Sequence, residues 1–178
     1  MPVSYTHLDV YKRQVKDPVL IGHSMGAQVV VEAAHRDPGL CRAVVLIGPV
    51  VNARERHARD VLRRFLESAR HERPRAALAS VRGYLRSAPR WWLEVFPSLL
   101  AYPVEERIAS LRGELAILRG SNDVLCPPEW VAELAAAASG CRVRTDDIPG
   151  AAHQVVVSHA PQVAAVARAV AGLDEAVR

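Results

Sequence analysis

Three side chains in this sequence carry groups that together could perform nucleophilic acyl chemistry: the Ser24 hydroxyl, the Asp123 carboxylate and the His153 imidazole. A serine attacks a carbonyl efficiently only when a base takes its proton. That base works only when a third group holds its tautomer. Ser24 lies in Gly22-His23-Ser24-Met25-Gly26, a G-x-S-x-G pattern within "PVLIGHSMGAQVVVEAAH". A tight strand-to-helix turn there would lift the hydroxyl clear, with glycine expected as the only residue that fits on each flank. It would also aim the Met25 backbone N–H, at a helix N-terminus, toward a developing oxyanion. The plainer reading is that Ser24 only caps a helix.

Asp123 and His153 carry less information singly. Asp123, in "LRGSNDVLCP", reads alone as an Asx-turn or helix cap ahead of Pro127-Pro128. His153, in "IPGAAHQVVV", reads alone as a loop histidine, although an imidazole with a pKa near ~6.5 can serve as base and then acid at neutral pH. Their order decides between the readings: Ser…Asp…His is the chain order expected when the nucleophile sits on such an elbow.

The elements that must position them follow from periodicity. Val19–Gly22, Cys41–Gly48, Glu114–Gly120 and the "CRVRTDDIPG" stretch read as strands, the middle two apolar enough to be buried on both faces. Helical faces are expected at Val29, Val30, Ala33 and Ala34, at Val131, Leu134, Ala135 and Ala138, and at Val163, Val166, Ala167 and Val170. Strands alternating with helices imply βαβ units and a parallel sheet, and the three polar residues then fall at carboxyl ends of strands. Residues 51–103 differ. They are arginine-rich, broken by Pro74, Pro89 and Pro97, and carry apolar stripes at Val61, Leu62, Phe65 and Leu66 and at Leu78, Val81 and Leu85. This reads as a helical insertion laid over the main domain.

Composition narrows the class. Half the residues are hydrophobic and the formal net charge is +4, enough for one domain with a real core. Arginine and acidic residues are interleaved, so no nucleic-acid surface is expected. Cys41, Cys126 and Cys141 show neither disulfide nor zinc spacing, which fits a reducing, cytoplasmic compartment with no metal. No apolar run is long enough to span a bilayer.

Residues 3–14, "VSYTHLDVYKRQ", back-translate into a DNA inverted repeat resembling two transposon ends used in sequencing libraries, joined head to head. Residues 1–14 are therefore expected to be artefactual, and the gene to be truncated upstream. The remainder divides into a core of 15–50 and 104–178, with 51–103 inserted.

The chain resembles the α/β-hydrolase superfamily: "GHSMG" is similar to its nucleophile elbow, "LRGSNDVLCP" to its G-x-x-D-x-x-x-P acid loop and "IPGAAH" to its histidine loop. The resemblance covers nearly all of 15–178. It implies a truncated α/β-hydrolase fold, a mostly parallel sheet with flanking helices and a helical cap, corresponding to the fifth to eighth strands of the family. It makes Ser24, Asp123 and His153 the triad, Met25 one half of the oxyanion hole, and Gly22 and Gly26 the elbow glycines. The implied activity is hydrolysis of an ester or related acyl compound, with a small-molecule substrate and no cofactor. A C–C bond hydrolase, a haloperoxidase-like enzyme or a non-catalytic binding protein remains open, as does the oligomeric state. The family's second oxyanion donor comes from an upstream "HG" loop, and loss of one donor costs about 10²–10³ in rate. The chain by itself is thus expected to be inactive or poorly soluble, with "PVLIG" as an exposed sheet edge.

Trp91, Trp92, Phe96 and Tyr102 could shape an acyl pocket or be the insertion's own core. His23 either packs beneath the elbow or lines that pocket. His159, Asp146 and Asp147 are lesser rivals for the triad roles, Cys126 is expected to be buried and inert, and His35, His57 and His71 to be solvated.

Overall fold

The structure, a computed structural model, describes residues 17–172 apart from 73, 75–77, 79–81 and 84–88, and for 89–92 the backbone alone. Residues 1–14, Val81, Leu85 and the side chains of Trp91 and Trp92 lie outside the described residues.

Four strands, β1 (Val19–His23), β2 (Ala43–Ile47), β3 (Gly113–Gly120) and β4 (Cys141–Ile148), form one sheet in the order β1-β2-β3-β4. Every pairing is parallel. Crossover helices are therefore needed between strands. They are α1 (Met25–Arg36) after β1, α2 (Ala58–Ala69), α3 (Pro89–Ala101) and α4 (Val104–Arg107) between β2 and β3, and α5 (Pro128–Ala137) after β3. The short α6 (Val155–Ser158) and then α7 (Ala160–Val170) follow β4.

The apolar run of β2 is buried at all five positions, because its alternate side chains feed two cores. Val44 and Leu46 join Leu115, Ile117, Trp130 and Leu134 on one face; Val45 and Ile47 join Ala116, Leu118 and Ile148 on the other. There α7 lays Val163, Val166 and Val170 against the sheet, as their spacing predicts. β1 lies at an edge, and Ile21 on it is 51% exposed.

Two helical faces differ from expectation. On α1 the buried residues are Ala27, Gln28, Val31 and Ala34, while Val29 is exposed. The helix leaves the elbow with its first turn already pressed on β1, and that contact, rather than the apolar average, sets its phase. On α2, Leu62 and Leu66 are exposed whereas Val61 and Phe65 are half-buried. Here Arg64 turns inward to Glu55, with nitrogen–oxygen distances of 2.9 Å, and holds that carboxyl below its ordinary range. His35 is also not solvated. It is half-buried, 2.6 Å from Ser110 Oγ through Nδ1 and 2.6 Å from Arg107 Nη1 through Nε2.

Candidate active site

The chain passes from β1 into α1 through Ser24 alone, so this one residue must absorb the whole change of direction. It does so at φ 55°, ψ −122°, a conformation that a residue bearing a Cβ rarely adopts. The Ser24 N–H donates to the Ile47 carbonyl at 2.8 Å, extending the β1–β2 ladder to the point of the turn. Ser24 makes no side-chain cap bond to α1, so its hydroxyl is free of the plainer role.

The flanking glycines are not equivalent. A Cβ on Gly22 would lie 2.4 Å from the Gly26 carbonyl oxygen and 2.8 Å from the Ala27 Cα. On Gly26 a Cβ would meet nothing within 4 Å. The expectation that only glycine fits on each flank thus holds for Gly22 and fails for Gly26, because the close approach is of the Gly26 backbone onto a bare Gly22. Gly22→Ala is expected to destabilise the fold by about 1–3 kcal/mol through overpacking, whereas Gly26→Ala should be neutral or stabilising by no more than about 1 kcal/mol. Urea midpoints of the two variants check this, and equal losses would contradict the asymmetry.

Asp123 follows β3 and is fully buried at its side chain. Its two oxygens divide the work. Oδ1 accepts from the backbone N–H groups of Leu125, at 3.0 Å, and Cys126, at 3.2 Å, so the Asx-turn anticipated from sequence is present. Oδ2 is left to face His153 Nδ1 at 2.9 Å. The loop is tied by Arg119, a buried guanidinium on β3. It donates to the Cys126 carbonyl at 2.7 Å and pairs with Asp147 at 2.8 Å.

His153 lies in the loop after β4, and His153 Nε2 stands 2.8 Å from Ser24 Oγ, across 129 residues of sequence. Bare backbone lets that loop close. A Cβ on Gly120 would sit 2.4 Å from the Ala151 carbonyl oxygen. Gly48, just past β2 at φ +52°, faces the pair itself: a Cβ there would lie 3.0 Å from Asp123 Oδ2 and 3.2 Å from His153 Nδ1. Sequence reasoning missed both Gly48 and Arg119. The only signal for Gly48 was a glycine directly after the apolar run "VVLI".

His23 is placed against His153, its ring centroid 5.1 Å away and its Nε2 2.9 Å from the His153 carbonyl oxygen. Burial, then the neighbouring His153, push its pKa below the ordinary histidine value. The neutral ring therefore donates its Nε2–H to that carbonyl.

The rival residues go elsewhere. Asp147 pairs with Arg119 and Asp146 with Arg144, while His159 Nδ1 lies 2.8 Å from Ser158 Oγ. Cys126 is fully buried, and burial drives its thiol pKa well up, so it carries no reactive thiolate. Tyr102 donates to Glu32 Oε2 at 3.0 Å, which places its hydroxyl beside α1. Phe96 is half-buried on α3, the helix that also carries Trp91 and Trp92. Met25 opens α1, so its N–H has no acceptor within the helix. Among the described residues no group of three or more His, Cys, Asp or Glu could hold a metal ion. No described helix is long and apolar enough to cross a membrane.

A family model described as the alpha/beta hydrolase family matches residues 3–169. A search of curated proteins returns no match. Among solved structures, a thermophilic esterase is similar at TM-score 0.65 and 19% identity, over 94% of this chain and 71% of its own. A bromoperoxidase from Bacillus anthracis gives TM-score 0.71 at 14% identity, over 94% of this chain and 71% of that one. A point mutant of the meta-cleavage product hydrolase CumD gives 0.61 at 18%, over 90% and 67%. At these identities the likenesses establish the shared fold.

Proposed function

This chain belongs to the alpha/beta hydrolase family, and on that premise we propose that it is a serine hydrolase of an ester or related acyl compound, working through Ser24, His153 and Asp123. The observation that carries the reading is the unbroken relay from Ser24 Oγ to His153 Nε2, 2.8 Å, and from His153 Nδ1 to Asp123 Oδ2, 2.9 Å. Ser24 Oγ attacks the substrate carbonyl as His153 Nε2 takes its proton. The Met25 N–H donates to the oxyanion. Collapse of the tetrahedral intermediate expels the alcohol, which leaves with the proton from His153, and the acyl group stays on Ser24 Oγ. Water then attacks the acyl-enzyme with His153 again as base, releasing the acid and the serine. Asp123 keeps the Nδ1 proton in place throughout and balances the imidazolium that forms twice in the cycle.

The helical segment within 51–103 is the cap in this reading, and its sequence carries Trp91, Trp92 and Phe96, residue types suited to an apolar acyl group. Met25 supplies one oxyanion donor in this reading. Stoichiometric labelling of the nucleophile is the direct test. Incubation with a fluorophosphonate, followed by digestion and mass spectrometry, is expected to place one adduct on the peptide containing Ser24. An unmodified Ser24, under conditions that label a reference serine hydrolase, would favour a ligand-binding protein over an enzyme.

A further inference from the structure

We infer that His23, the residue before the nucleophile, is a positioning residue that fixes His153 by holding its backbone carbonyl; this rests on the serine-hydrolase reading above. Both ring nitrogens of His153 are already engaged, Nε2 by Ser24 and Nδ1 by Asp123. Those contacts set where the ring points only if the backbone that carries it is also held. The His153 carbonyl oxygen receives the His23 Nε2–H at 2.9 Å, and the two rings are tilted at 37° with centroids 5.1 Å apart. His23 ends β1 and is bonded directly to Ser24. One rigid strand end therefore presents the nucleophile and, one residue earlier, the donor that places the nucleophile's base. The Ala151 carbonyl and the Gln154 N–H stay bonded to Asn122 and Glu72, so loss of that donor releases the His153 carbonyl alone, and the 2.8 Å contact with Ser24 is the first to lengthen.

The tilted packing adds a second requirement. When His153 takes the serine proton it becomes a cation beside His23, so the His23 ring must be neutral. The groups whose charges act on His23 are His153 and Asp123, the first opposing and the second favouring its protonation, and burial opposes it more than either. Positioning and neutrality are thus satisfied by the same tautomer, the one protonated at Nε2.

Two variants of the full chain separate this role from a merely structural or substrate-lining one. Phenylalanine at 23 keeps the aromatic body and removes the donor; glutamine keeps a neutral N–H of similar reach. The readout is fluorophosphonate–rhodamine labelling of Ser24, resolved into its limiting rate and half-saturating concentration. His23→Phe is expected to lower the limiting rate at least tenfold with the half-saturating concentration within twofold of wild type. His23→Gln should recover to within about threefold. A His23→Phe rate within twofold of wild type would overturn the inference. So would a glutamine variant that falls as far as the phenylalanine one, or a change confined to half-saturation, which would make His23 a pocket wall. Ser24→Ala and His153→Ala run alongside. If these label like wild type, the serine-hydrolase reading itself fails, whereas if they fall and His23→Phe does not, only the positioning role is lost.

Discussion

Ser24→Ala is expected to remove both hydrolysis and labelling, taking p-nitrophenyl acetate turnover down to the buffer background. Loss of a triad nucleophile costs about 10⁶ in rate, a fall large enough to reach that background. The fold should hardly notice, because the Ser24 hydroxyl bonds to His153 Nε2 and makes no cap bond to α1. Alanine also leaves the backbone donor to Ile47 in place. A thermal melt close to wild type beside a rate at background is the expected pair of results. Retained turnover in Ser24→Ala would remove the nucleophile from the scheme.

Asp123→Asn should be nearly as damaging while changing almost no atoms. The two backbone donors, from Leu125 and Cys126, point at Oδ1, so an amide would keep its oxygen there. Its NH₂ would then occupy the place of Oδ2 and present a donor to His153 Nδ1, 2.9 Å away. That forces the imidazole proton onto Nε2, where it faces Ser24 and can no longer accept. The wrong tautomer costs about 10⁴ in rate where this substitution leaves geometry intact. Labelling kinetics of Asp123→Asn at neutral pH check the point, and a loss under tenfold would show that the carboxylate does not set the tautomer.

The parts of this site that the sequence made legible are those governed by local sterics or strand ends. Gly22 and Ser24 are readable because a sharp turn between an apolar run and a helical pattern leaves few residue choices. Asp123 and His153 became readable only as members of a series, each at the end of a different strand, since an aspartate or histidine in a loop is unremarkable by itself. From sequence His23 reads as packing beneath the elbow or lining the pocket and not as a partner of His153, and neither Gly48 nor Arg119 is given a part in the site. Each acts through a partner distant in the chain: His23 through a carbonyl 130 residues away, Gly48 through the bare space it leaves for His153 and Asp123, Arg119 through loop carbonyls it reaches from within the sheet. The phase of α1 failed for a related reason. Val29 and Val30 argued for one face, but the contact of Gly26 on Gly22 rotates the helix so that Ala27 and Val31 go inward.

The four described strands stand side by side in chain order, with Ser24 just after β1 and His153 in the loop after β4. If Ser24 is the nucleophile and His153 its base, a refolding chain that has built β1 to β3 would hold Ser24 in place and still be chemically mute. Reactivity would switch on when β4 docks and swings residue 153 back over residue 24, so the acquisition of Ser24 labelling would serve as a clock for that step of assembly.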